Sequence, residues 1–83
     1  MLTIKILGPG CDNCRKLDAL AHEAAASMGL QAEFIKVTDR ADMARYNILS
    51  TPGLVINEQL VVAGRIPSVA EISTFLANAL EKA

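Results

Sequence analysis

The first 37 residues contain the pattern that most constrains the fold, a strand followed by a helix and a second strand. Leu2–Leu7, LTIKIL, is apolar or β-branched except for Lys5 and is predicted to be a buried strand. A helix over about residues 12–28 is indicated by apolar residues at spacings of three and four, and Gly29 suits the left-handed position that ends a helix. Residues 31–37 are predicted to be the next strand. The two strands of such a unit are expected to be parallel, with a right-handed crossover between them.

A short helix is predicted after the second strand. Thr38 or Asp39 can cap it, and Met43 and Ala44 are expected to face the interior.

Residues 54–56 and 60–63 are predicted to pair as a hairpin with Asn57 and Glu58 near its turn. Asn57 tolerates the positive φ that a tight turn requires, whereas Glu58 is poorly suited to it. The turn type therefore stays open.

The last predicted element is a helix that begins after Ser68, because Ser68 and Glu71 have the spacing of a capping box. The element order β-α-β-α-β-β-α predicts an α/β fold in which helices flank a four-stranded mixed sheet, in a single domain spanning residues 1–83. The apolar stripe of the last helix comprises Val69, Ile72, Leu76 and either Ala79 or Leu80, with Phe75 beside it.

Four polar residues invite a specific explanation. Lys5 is simplest to explain if its strand lies at an edge of the sheet, since in a central strand it would have to snorkel or pair with an acid. Tyr46 is expected either to line an active-site surface or to be a half-buried structural residue. His22 and Arg65 are expected to be solvent-exposed.

The composition narrows the classes of partner. The formal net charge is −1, which gives no electrostatic reason to expect nucleic acid or an acidic membrane. No apolar run approaches the roughly 20 residues that span a bilayer, and the N-terminus does not resemble a signal peptide. We therefore expect a cytoplasmic location.

The segment GPGCDNC, residues 8–14, contains both cysteines. Cys11 falls at the predicted helix start, where unpaired N–H groups and the helix dipole favour a thiolate. Cys14 lies one turn inside, on the buried stripe, so the two thiols are unequal in accessibility. A redox pair, half of a metal site and two inert thiols are the alternatives. A structural zinc site needs four ligands, and this chain supplies two cysteines and the distant His22.

A second segment, LSTPGLVI, precedes the predicted hairpin. The motifs GPGCDNC, STPGLVI and GRIPS in this element order resemble the thioredoxin fold over essentially the whole chain. The chain is most similar to the small glutaredoxin-like proteins of that superfamily, often called redox-active disulfide proteins. The resemblance implies that Cys11 is the nucleophile and Cys14 the resolving cysteine. It also implies that Pro52 is a cis-proline against the disulfide and that Thr51 presents backbone groups to a substrate chain.

The resemblance implies a thiol–disulfide oxidoreductase that uses no cofactor and acts on disulfide-containing proteins. Thioredoxin reductase or glutathione would be its reductant. A soft-metal-binding thiol module and a non-catalytic interaction domain are the alternatives. The chain lacks the Trp-Cys-Gly-Pro-Cys and Cys-Pro-Tyr-Cys motifs, contains no Trp, and has no clear match to the buried acid of thioredoxins. These differences leave the redox potential and the reductant open.

Overall fold

A computed structural model of the chain describes residues 2–10, 12–48 and 50–81. Its elements follow the predicted order. They are β1 (Leu2–Leu7), α1 (Asp12–Ser27), β2 (Ala32–Val37), α2 (Arg40–Ala44), β3 (Gly53–Ile56), β4 (Gln59–Ala63) and α3 (Val69–Glu81).

The four strands form one mixed sheet in the order β2-β1-β3-β4. β1 is parallel to β2 and antiparallel to β3, and β3 is antiparallel to β4. Leu7 is paired with both Val37 and Gly53, so β1 and β2 end where β3 begins. This edge is called the site end of the sheet below.

Apolar side chains cover the two faces of the sheet unequally. The larger core lies between the sheet and the two long helices, where Ile4, Leu17 and Ile72 are completely buried. The smaller core lies on the α2 side and contains Leu7, Val55 and Met43. All four residues of β3 are buried, as expected for a central strand covered on both faces.

The ends of the helices follow local capping rules. Gly29 has φ +66°, as predicted for the residue that ends α1. Asp39 caps α2 by accepting a hydrogen bond from the Ala41 N–H at 2.8 Å. Ser68 and Glu71 form the predicted capping box, with Glu71 N–H donating to Ser68 Oγ at 3.1 Å.

The structure corrects one expectation about helix faces and decides between two alternatives for another. Met43 is buried, but Ala44 is exposed, because the five-residue α2 buries only a single side chain. On α3, Ala79 packs against the core, whereas Leu80 is 44% exposed.

The expectation that Lys5 lies in an edge strand is wrong, because β1 is in the interior of the sheet. Lys5 Nζ forms an ion pair with Glu58 at 2.6 Å and donates a hydrogen bond to Tyr46 Oη at 2.7 Å. Tyr46 Oη in turn donates to a Glu58 carboxylate oxygen at 2.9 Å. The acid that Lys5 requires therefore comes from the hairpin turn, where Asn57 and Glu58 have φ of +49° and +69°.

The Lys5–Tyr46–Glu58 cluster makes stability depend on pH. The hydrogen bond from Lys5 lowers the pKa of the Glu58 carboxyl, and the hydrogen bond to Glu58 raises the pKa of Lys5. The Glu58 contribution is present above its unfolded pKa and is lost as pH falls through the lowered folded value. The Lys5 contribution is present below its unfolded pKa and is lost as pH rises through the raised folded value.

We therefore expect Glu58→Gln to be less stable than the wild type at neutral pH, with the difference shrinking as pH falls below the ordinary range of a glutamate carboxyl and through the lowered pKa of Glu58. Urea unfolding across this pH range measures the difference. Glu33→Gln is the matched control, because Glu33 is exposed and forms no ion pair with any residue that the structure describes. A difference that stays constant with pH would contradict the assignment.

Candidate active site

The loop after β1 leads directly to the cysteine segment. The N–H of Gly8 donates to the carbonyl of Val37 at 2.9 Å, which ties this loop to the end of β2. Cys11, the predicted nucleophile, lies outside the described residues. Cys14 is in the first turn of α1 and is 5% exposed, in agreement with its expected place on the buried stripe.

Gly8 lies between Cys14 and Thr51. A methyl group on Gly8 would overlap the Sγ atom of Cys14 and would lie 3.8 Å from Cβ of Thr51. The two sequence segments that carry the predicted site therefore meet at this glycine. In the sequence Gly8 is only the first residue of the motif GPGCDNC, and a single sequence contains no signal for this contact.

The second segment is fixed from its other side by the loop after β4. The Thr51–Pro52 peptide bond is cis, and Pro52 is buried while Thr51 is exposed. The carbonyl of Pro52 accepts a hydrogen bond from the N–H of Gly64 at 2.9 Å. Gly64 has φ +80°, and a side chain there would overlap Oγ of Ser50, so both its backbone angle and the close approach favour glycine.

Two surface depressions lie on either side of the place where Cys14, Gly8 and Thr51 meet. A small cavity of about 30 Å³ lies against Cys14 and is also lined by Arg15, Lys36 and Thr38. It has room for little more than a water molecule. A wider groove of about 330 Å³ runs along α2 to Thr51, and its lining comprises Arg40, Met43, Ala44, Ile48, Ser50 and Thr51.

Several charged side chains near Cys14 form ion pairs on the surface. Arg15 forms an ion pair with Asp12 at 3.1 Å. Asp18, one turn beyond Cys14, is paired with His22 at 3.3 Å and with Lys36 at 3.7 Å. Among the described residues no polar or charged side chain is buried, so this part of the chain contains no buried carboxylate beside Cys14.

The other polar residues singled out in the sequence contact neighbouring side chains away from the Thr51 groove. Tyr46 is half-buried in its cluster with Lys5 and Glu58 rather than on the Thr51 groove. Arg65 is exposed and paired with Glu71 at 2.8 Å. His22 is exposed as expected, and its ring stacks on Phe34 with 3.6 Å between the ring centroids.

Within residues 2–10, 12–48 and 50–81, no cluster of three or more His, Cys, Asp or Glu side chains has the geometry to hold a metal ion. None of the helices in these ranges is both long enough and apolar enough to cross a membrane.

The strand order, the helices on both faces and the meeting of the cysteine helix with the Thr51–Pro52 segment together define a thioredoxin-like protein. The chain belongs to the thioredoxin domain family, whose model matches residues 2–77. This membership supports a thioredoxin-type redox function.

Individual relatives agree with this assignment. The chain is 37% identical over 81 residues to a thioredoxin of Methanocaldococcus jannaschii, covering 98% of this chain and 93% of the relative. It is 36% identical over 76 residues to a thioredoxin of Methanothermobacter thermautotrophicus, covering 92% of this chain and 99% of the relative. The fold is similar to the solved structure of thioredoxin-2 from the malaria parasite. That match has a TM-score of 0.67 and 13% identity, covering 94% of this chain and 82% of the other.

Proposed function

We propose that this protein is a thiol–disulfide oxidoreductase in which Cys11 is the nucleophile and Cys14 the resolving cysteine. The observation that carries the proposal is the position of the Cys14 sulfur. Cys14 is in the first turn of α1, and its sulfur packs against Gly8. Thr51 lies on another side of the same glycine. In its buried position Cys14 is unsuited to attack a partner from solution but suited to attack a bond held one turn away.

The reaction would proceed by two exchange steps. The Cys11 thiolate attacks one sulfur of a substrate disulfide, forming a mixed disulfide and releasing the first substrate thiolate. Cys14 loses its proton and attacks the Cys11 sulfur, which releases the second substrate thiolate. The substrate has then gained two electrons and the protein holds a Cys11–Cys14 disulfide.

The Thr51–Pro52 segment would hold the substrate chain beside the cysteines. Thr51 is exposed at the end of the groove, so its main-chain groups can pair with an extended peptide as a short added strand. Pro52 is buried and anchored through its carbonyl to Gly64, which makes the segment a fixed wall. This arrangement supports disulfide-containing proteins as substrates.

A separate thiol-based reductant must restore the reduced form. The thioredoxin relatives support a thioredoxin reductase as the electron donor, with glutathione as the alternative, and the cytoplasm as the site of action. Neither exchange step requires a cofactor.

Substitution of each cysteine by serine tests the roles. Cys14→Ser is expected to accumulate a mixed disulfide between Cys11 and a cysteine of insulin, formed by attack on an insulin disulfide, because the resolving thiolate is missing. Cys11→Ser is expected to abolish insulin-disulfide reduction, because no accessible nucleophile remains. Mass spectrometry of non-reduced samples identifies the adduct, and insulin turbidity reports the activity. An active Cys11→Ser variant would show that the assignment is wrong.

Metal analysis separates this function from a soft-metal-binding module. Protein purified under reducing conditions is expected to contain no stoichiometric metal. One bound soft metal ion per chain or per dimer would favour the metal-binding function instead.

A further inference from the structure

The two ends of the sheet differ in charge. The segments at the site end, where β1 and β2 finish, carry six cationic side chains and five carboxylates among the described residues. At the opposite end the described residues include three carboxylates and no lysine or arginine, once the Lys5–Glu58 pair is set aside. The site-end residues are Arg15, Lys16, Lys36, Arg40, Arg45 and Arg65 with Asp12, Asp18, Asp39, Asp42 and Glu71, and the opposite carboxylates are Glu23, Glu33 and Glu81. A chain with a net charge of −1 therefore presents its positive end at the proposed active site.

Four of the five site-end carboxylates are already engaged, and the fifth, Asp42, lines a separate groove with Arg45. Three of them form the ion pairs with Arg15, Lys36 and Arg65 described above. The fourth, Asp39, accepts the Ala41 N–H at the start of α2. By contrast, the exposed cations Lys16, Arg40 and Arg45 form no ion pair with any residue in the described part of the chain.

Arg40 is the unpaired cation that the groove brings next to Thr51. It lines the same 330 Å³ depression as Met43, Ile48 and Thr51. A group bound there would contact apolar side chains along the groove and one guanidinium, which forms no ion pair with the described residues. Guanidinium groups bind carboxylates by two parallel hydrogen bonds, which makes a carboxylate the complementary ligand.

From this charge distribution we infer that the preferred substrates are disulfides with carboxylate groups close to the sulfur atoms, and that Arg40 selects them. The inference rests on the proposed function and specifies its substrate class. The positive end of α1 and the unpaired Lys16 on that helix attract the same anions, so the selection acts on the encounter of enzyme and substrate. Cys11 then reacts with the bound disulfide by the exchange steps given above.

Three small disulfides of similar size but different charge test the selection. They are dithiodiglycolate, hydroxyethyl disulfide and cystamine, which are anionic, neutral and cationic. The rate constant of the reduced protein with each is divided by that of dithiothreitol with the same disulfide, which removes differences in leaving-group reactivity. We expect the normalised rate to be about threefold to tenfold higher for the anionic than for the neutral disulfide, and lowest for the cationic one. Salt at about 0.5 M is expected to remove most of the preference.

Arg40→Gln and Arg45→Gln form a matched pair of variants on α2. Arg45 carries the same charge but lines a different groove, with Lys5 and Tyr46. Arg40→Gln is expected to reduce the anionic preference about twofold to threefold, and Arg45→Gln to leave it unchanged. Arg40→Glu is expected to reverse the preference, and a first-turn acid is favourable in a helix, so this variant should fold.

The outcomes separate the two proposals. Failure to reduce any of the three disulfides would contradict the proposed function itself. Equal normalised rates for all three, or equal effects of Arg40→Gln and Arg45→Gln, would overturn the selection by Arg40 while leaving the oxidoreductase assignment intact.

Discussion

Gly8→Ala is expected to lower the free energy of unfolding by about 1–3 kcal/mol, the usual effect of adding a methyl group to a filled site. The new methyl group would overlap Sγ of Cys14, so the sulfur or the loop must move. Gly8 is buried and hydrogen-bonded to Val37, which restricts the movement of the loop. Urea unfolding of the wild type and variant under reducing conditions measures the loss.

A double-mutant cycle with Cys14→Ala shows whether the sulfur is the cause. When Sγ is absent, the nearest atoms to the new methyl group are Cβ of residue 14 at 3.5 Å and Cβ of Thr51 at 3.8 Å, both ordinary contacts. Gly8→Ala should then be neutral, or stabilising by up to about 1 kcal/mol because alanine restricts the unfolded chain. An equal loss of stability with and without the sulfur would show that the contact is not responsible.

Gly8→Ala is also expected to slow the proposed reaction. A displacement of Cys14 by about 1 Å can reduce the rate of an attack that depends on alignment by on the order of 10²-fold. We expect the second exchange step to be affected more than the first, so that the mixed disulfide accumulates in Gly8→Ala as it does in Cys14→Ser. Quenched-flow analysis of the adduct separates the two steps. Slowing of the first step alone would contradict a role of Gly8 in placing Cys14.

Leu76→Ala is expected to destabilise the protein by about 2–5 kcal/mol, because it removes a completely buried side chain and leaves a cavity. Leu76 lies on α3 in the main core with residues from α1 and β3, such as Leu17 and Ile56. A small domain has a total stability of only about 5–15 kcal/mol, so this loss would leave a substantial unfolded fraction. Thermal and urea unfolding measure it directly.

Leu80→Ala is the matched control, with the same chemical change one turn further along α3. Leu80 is 44% exposed, so its truncation removes less buried surface and is expected to cost below about 1 kcal/mol. Equal losses of stability for the two substitutions would mean that the Leu80 side chain is buried in solution, contrary to its exposure in the structure.

The sequence predicted the elements because each depends on residues close together in the chain. The apolar and β-branched residues of Leu2–Leu7, the spacing of apolar residues on α1 and the Ser68–Glu71 capping box are all local, and the structure contains the corresponding strand, helix and cap. The family resemblance was carried by motifs of a few residues, and the comparisons confirm it.

The wrong prediction for Lys5 arose because a local sequence pattern does not determine which residues are in contact in the folded protein. Lys5 looked like an edge residue because a charge in a central strand is costly without a partner, and its partner Glu58 is 53 positions away. Glu58 was poorly suited to the turn by its own backbone preference, yet its carboxylate is the group that neutralises Lys5. Either residue alone therefore gave a misleading indication.

By itself the sequence determined the order of elements, the burial of Cys14 and the family, since periodicity and short motifs encode which side of each element is apolar. Only the tertiary structure decided that Cys14 and Thr51 meet at Gly8, and that Arg40 shares a groove with Thr51. These contacts depend on how the sheet and helices pack. A glycine in a sequence is compatible both with close packing and with a flexible loop, so the sequence cannot show which of the two applies at Gly8.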